Sequence, residues 1–194
     1  MVDKPRSPDA PARRRVDVLG GCRIDGVPVS SARAVELVVA LAVSGGSAPR
    51  DWLLSVLFDA DPAPSSLPTL ALRARTLGLT VEYRPDRHSY ALMTPVECDL
   101  AEFFKEMKSG DPRRALSLYH GPFMPRSHSP FASGMRSSIE ALFSTAAENG
   151  DTAFLTEADR LIKHPDLSRR IVSAGADPLA VSLSRTWLRT LESA

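Results

Sequence analysis

Hydrophobic and polar positions follow two different patterns along the chain. From Val16 onward, short apolar pieces at residues 16–19, 22–24 and 27–29 are separated by Gly20 and Gly21 and by the Asp25, Gly26 turn pair. Brief extended runs bounded by such turn residues predict a small N-terminal β-sheet. Residues 32–43 then place Val35, Val38, Val39, Leu41 and Ala42 on a strongly buried helix, capped by Ser30 or Ser31 and closed by Gly45 and Gly46. Asp51 is expected to cap a second helix over residues 52–58, with a loop of prolines and aspartates over 59–64. Ser65 or Ser66 caps a third helix with Pro68 in its first turn, a stripe of Leu67, Leu70, Ala74 and Leu77, and Gly78 as its stop. Extended pieces at 79–83 and 89–92 flank a turn of Arg84, Pro85, Asp86, Arg87 and His88, which predicts a basic β-hairpin.

After Thr94 and Pro95 the pattern predicts helices only. Asp99 is expected to cap residues 100–108, and Asp111 with Pro112 starts a helix reaching Tyr119. A long helix over 130–148 repeats Phe131, Met135, Ile139, Leu142 and Ala146 at intervals of three or four. Asp151 and Asp166 each cap a further helix, and Asp177 with Pro178 opens the last one, with Ala180, Leu183, Trp187 and Leu191 as its inward stripe. The domain organisation is therefore a disordered tail at 1–14, an α+β domain at 15–95 and an all-helical domain at 96–194. Helix pairs joined by Gly-Asp turns resemble tetratricopeptide (TPR) units, without an internal repeat at the usual period.

Composition changes this picture little. The chain has 194 residues, 43% hydrophobic and 24% charged, which suits two folded domains and argues against wholesale disorder. No apolar run approaches the ~20 residues of a membrane span, and the Arg-rich start has no apolar stretch behind it, so a cytoplasmic protein is expected, with no membrane partner. Cys22 and Cys98 read as two reduced thiols rather than a disulfide or a metal site. Net charge is only +1, with 24 basic against 23 acidic residues, so charge alone does not announce a nucleic-acid partner. Its distribution is uneven: basic residues gather before residue 16 and over 73–88, acidic ones over 97–106 and 140–166.

Candidate chemistry is sparse. His88, His120, His128 and His164 lack the spacing of metal ligands or of a catalytic triad. Ser44, Gly45, Gly46 and Ser47 lack the Gly-Lys-Ser/Thr ending of a phosphate loop. No catalytic residue, metal or cofactor is expected, and no enzyme activity. Phe123 and Met124, in a proline-flanked loop, either pack beneath it or dock a partner.

Several runs carry a family resemblance. In the first half they are Gly20-Gly21-Cys22-Arg23-Ile24-Asp25-Gly26, Ala34-Val35-Glu36-Leu37, Trp52-Leu53-Leu54 and Leu72-Arg73. In the second they are Ala115-Leu116-Ser117-Leu118-Tyr119-His120-Gly121-Pro122, the stretch 136–142 and Leu161-Ile162-Lys163-His164-Pro165-Asp166. With these the chain resembles the antibiotic-regulatory-protein (SARP) type of bacterial transcriptional activator, an OmpR-type winged helix followed by a bacterial transcriptional activator domain (BTAD). The resemblance implies a small β-sheet, three helices and a β-hairpin wing, then an all-α TPR-like domain. It also implies a nucleoid-associated regulator that binds double-stranded DNA, with the helical domain serving homodimerisation or RNA polymerase contact. A helix of about 12 residues fits the major groove, so helix 65–77 would be the reader. On a helical wheel its outward face carries Thr69, Leu72, Arg73, Arg75 and Thr76, while Arg84, Arg87 and His88 would form the wing. A modest rotation of that helix puts Leu72 in the core instead, and Arg73 and Arg75 then read as solvated surface. The alternative function is an adaptor or antagonist that has lost DNA binding and works through protein contacts of its helical domain.

Overall fold

The computed structural model describes residues 13–175 and 177–193. Of the tail expected at 1–14, residues 1–12 lie outside the described residues, and its last position, Arg14, opens a strand. The chain divides into two compact units. One holds the described residues up to Asp17 together with Cys22–Cys98; the other holds Val18–Gly21 and the described residues from Asp99 onward. The boundary expected at 95/96 therefore moves to 98/99, and the second unit takes in a short piece of the N-terminal region.

The first unit is α+β. Its elements are β1 (Arg14–Asp17), β2 (Arg23–Ile24), β3 (Val27–Pro28), α1 (Ala32–Val43), β4 (Ser47–Pro49), α2 (Arg50–Leu57), α3 (Ser66–Thr76), β5 (Val81–Arg84), β6 (Ser89–Leu92) and β7 (Val96–Cys98). Two sheets form, ordered β3-β2-β1-β7 and β4-β6-β5. Helices only were expected after Pro95. Instead β7 pairs in parallel with β1, Arg14 opposite Val96 and Val16 opposite Cys98. Three residues are too few to show period-two alternation, so only the ladder with a distant strand reveals β7. The same holds for β4, whose single buried residue, Ala48, faces Tyr90 of β6. Because β4 runs directly into α2, Pro49 takes the N-cap position and Asp51 sits inside the first turn, where its charge still suits the helix dipole.

Helix α1 is buried over eight consecutive residues from Ala34 to Leu41, including Glu36. Arg33 accounts for that buried acid: its guanidinium donates to the Glu36 carboxylate and to the Leu57 carbonyl, and it lies over the Phe58 ring at 5.1 Å. One arginine thus ties α1 to the end of α2.

The second unit contains α4 (Asp99–Ser109), α5 (Pro112–Leu118), α6 (Pro130–Glu148), α7 (Thr152–Ile162), α8 (Pro165–Ala174) and α9 (Pro178–Glu192). Asp111, Ser129, Asp151 and Asp177 cap α5, α6, α7 and α9, each side chain accepting an amide hydrogen from the first turn. The core is aromatic: Phe103 and Tyr119 both set ring edges against Phe143, at 5.3 and 5.6 Å between centroids. Along α6 the fully buried stripe is Phe131, Ala132, Ile139, Phe143 and Ala147, while Met135, Leu142 and Ala146 are half-buried. Phe123 and Met124 are buried beneath their own loop. Arg136 of α6 holds that loop, donating to the carbonyls of Phe123 (3.0 Å), Met124 and Ser127.

Two buried carboxylates organise this unit. Asp99 was expected to cap α4; it is the helix's first residue, and its carboxylate accepts the amides of Leu100 (2.7 Å), Val18 (2.9 Å) and Leu19 (2.8 Å). The segment Val18–Gly21 is fixed further by Met124 N–H to Val18 C=O, by Gly20 N–H to Pro122 C=O and by a bridge between Leu19 and Phe123. At Gly20 a Cβ would stand 2.7 Å from the His120 carbonyl oxygen, and φ is +92°, so no other residue fits that passage. Asp159 of α7 accepts from Ser168 of α8 (2.5 Å), Ser184 of α9 (3.2 Å) and Lys163 (3.3 Å).

Of the stripe expected for α9, Ala180 and Trp187 are half-buried while Leu183 and Leu191 are not in the core. Ser184 is the buried residue of the helix, and Leu183 and Leu191 are 56% and 46% exposed. No helix among the described residues is long and apolar enough to cross a membrane.

Candidate nucleic-acid interface

Helix α3 owes its setting to three side chains and its C-terminal end. Leu67, Leu70 and Ala74, spaced three and four apart, are buried, and α3 packs against α1 and β5. At the C-terminal end Leu79 N–H reaches the Ala74 carbonyl (3.0 Å) while Gly78 N–H reaches that of Arg75 (2.9 Å). This is the Schellman arrangement, with Gly78 in the left-handed region at φ +76° and Leu79 buried beside it. A Cβ at Gly78 would also meet the Arg14 guanidinium at 2.6 Å.

With the helix so locked, Thr69, Leu72, Arg73, Arg75 and Thr76 all face solvent. Leu72, which the sequence left between surface and core, is 62% exposed. Leu77, expected in the stripe, is only half-buried because it is the C-cap. Arg73 and Arg75 have no ion pair or side-chain hydrogen bond among the described residues, and no acidic residue lies within α3. The helix therefore presents two unpaired guanidinium groups, the Thr69 hydroxyl, and one large apolar group between them. The Thr76 hydroxyl is turned inward to the Arg73 carbonyl (2.8 Å), leaving its oxygen to act as an acceptor.

The hairpin places the other three predicted residues. β5 and β6 pair with Arg84 opposite Ser89, and a 3-10 turn over Pro85–Arg87 joins them. His88 leaves this turn in the left-handed region, φ +45°, with Tyr83 Oη 3.1 Å from its Nδ1 and its carbonyl taking the Arg50 amide (2.8 Å). The tip is thus fixed to the start of α2. Arg87 and His88 are exposed; Arg87 lies 3.6 Å from Asp86, both 72% exposed, a pairing weak enough to yield to another anion. Arg84 is half-buried and its Nη2 points to the Met93 sulfur at 3.8 Å. Beneath, the Tyr83 and Tyr90 rings meet tilted at 50° with centroids 5.1 Å apart, and burial raises the Tyr90 hydroxyl above its ordinary value.

All eight predicted residues therefore belong to α3 and to the hairpin whose first strand packs on it. Sequence reasoning missed exposed Met93 and Trp52, and exposed Glu82, whose acid two residues before Arg84 offsets part of the hairpin's charge. Among the described residues no group of three or more His, Cys, Asp or Glu is placed to hold a metal.

No protein-family model matches the chain, and no curated protein matches it. Among solved structures it is similar to the one titled "Mycobacterium tuberculosis EmbR in complex with low affinity phosphopeptide", with 17% identity and a TM-score of 0.44. The match covers 92% of this chain and 65% of that one, so the chain spans just under two thirds of that protein's length.

Proposed function

We propose that this chain is a transcription regulator of the SARP type, acting by binding rather than catalysis. In this reading the first unit is a winged helix that takes up duplex DNA, and the second is a TPR-like module for homodimerisation or RNA polymerase contact in the cytoplasm. The observation that carries the reading is the solvent face of α3. Two arginines without acidic partners, a hydroxyl and an exposed leucine occupy one side of a helix whose other side is held in the core. Guanidinium forks match guanine edges, and an apolar group matches the thymine methyl. The Arg84, Arg87 and His88 hairpin supplies phosphate contacts that position without reading sequence.

Fluorescence anisotropy with labelled duplexes, after selection from a random library, tests this. Binding should weaken steeply between about 50 and 200 mM salt. Arg73→Ala or Arg75→Ala should cost about 1–3 kcal/mol on the selected site and relax its sequence preference, whereas Arg84→Ala and Arg87→Ala weaken every duplex alike. Absence of any duplex binding at low salt would refute the DNA-binding reading and leave the adaptor reading, which the near-neutral net charge of +1 favours.

A further inference from the structure

Helix α9 is set in an unusual way for an amphipathic helix. Its buried residue is a serine, while Leu179 and Leu183, one turn apart, are 67% and 56% exposed. Ser184 Oγ donates to the buried Asp159, which also holds Ser168 of α8, and half-buried Ala180, Val181, Trp187 and Leu188 flank it. A buried polar contact of this kind fixes the rotation of a helix at the expense of its apolar fit. With this face inward, a leucine shoulder is left outward, continued by half-buried Trp187 one further turn along. The opposite shoulder carries Arg185 and Arg189, also one turn apart, lining a groove of about 490 Å³ with Val181, Ser182 and Thr186. Neither arginine has an ion pair or side-chain hydrogen bond among the described residues, and from Pro178 to Leu191 the helix contains no acidic residue.

We propose that the α9 face bearing Leu179, Leu183, Arg185 and Arg189 is a docking surface for an acidic amphipathic helix of a partner protein. Leucines spaced i, i+4 present a ridge that another helix's apolar stripe can straddle. The unpaired guanidinium groups on the flank select glutamate or aspartate beside that stripe and reject basic residues there. Charge complementarity excludes a basic partner helix. The inference concerns the second unit alone and does not depend on what α3 binds.

The test uses the full chain and two synthetic, fluorescein-labelled 18-residue helical peptides sharing one leucine stripe, flanked by glutamate in one and by lysine in the other. The glutamate peptide should bind at least tenfold more tightly, with affinity falling as salt rises. The Arg185→Glu, Arg189→Glu double variant should reverse the preference. Leu179→Ser with Leu183→Ser should weaken the glutamate peptide about tenfold while leaving circular dichroism and the urea unfolding midpoint unchanged. Equal binding of both peptides, no binding of either, or retention of binding by the leucine double variant would overturn the proposal. So would sedimentation showing a homodimer abolished by these same substitutions, since the occupant would then be a second copy of this chain.

Discussion

Helices α3 and α9 look alike from outside and differ in what holds them. Each exposes leucine and two unpaired arginines. In α3 the rotation is decided by apolar burial: Leu67, Leu70 and Ala74 occupy the core and the outward face is what remains. In α9 the fully buried residue is Ser184, hydrogen-bonded to Asp159 with half-buried Ala180, Val181, Trp187 and Leu188 beside it, and Leu179 and Leu183 are left in solvent. A helix's exposed face thus follows from its strongest inward demand, and that demand need not be hydrophobic.

The comparison can be broken at several points. The largest effect is expected from Asp159→Ala, which strips Ser168, Ser184 and Lys163 of a shared acceptor. Urea unfolding should show a loss of about 3–5 kcal/mol, because two buried serine hydroxyls lose a charged acceptor, and a cycle with Ser184→Ala should give coupling of about 1 kcal/mol or more. Additive effects would mean that the serine does not set α9. Leu67→Ala comes next, at about 2–4 kcal/mol, because it opens a cavity where α3 has its apolar anchor. A smaller effect separates buried from exposed groups by pH. Burial, with a lesser push from Glu140, raises the Tyr119 hydroxyl to about 12. The folded state then keeps that proton while the unfolded chain loses it near 10, so stability is intact below about pH 10 and falls as pH rises toward 12. The loss should reach roughly 1.4 kcal/mol by pH 11, and Tyr119→Phe should remove that part of the slope. Smallest of all, Leu72→Ala and Leu183→Ala should each change stability by under about 0.5 kcal/mol. A loss above about 2 kcal/mol at either would place that leucine in a core and end the resemblance between the two faces.

The same contrast explains what could be read in advance. Helix α1 and helix α6 carry long apolar repeats with polar stops, and their limits, Ala32–Val43 and Pro130–Glu148, agree with the expected ones. The exposure of Thr69, Arg73 and Arg75 followed from the α3 stripe by the same logic. Strands β4 and β7 carried no such signal, since three residues have no period and their partners lie far along the chain. Asp159 and Asp99 were hidden for another reason. A buried carboxylate looks like a surface one until its donors are known, and those donors come from other helices or from a segment 80 residues away.

That last separation has a consequence for synthesis. Leu19 leaves the ribosome 80 residues ahead of the carboxylate that will hold it. At about 5–20 residues per second, its amide waits on the order of 4–16 s for Asp99, and longer for the Phe123 loop. The first unit has most of its elements in hand during that interval, with the Val18–Gly21 loop still unengaged. The second unit therefore cannot be completed from its own contiguous stretch of chain: one of its pieces is delivered early, tethered to a neighbour that is synthesised first.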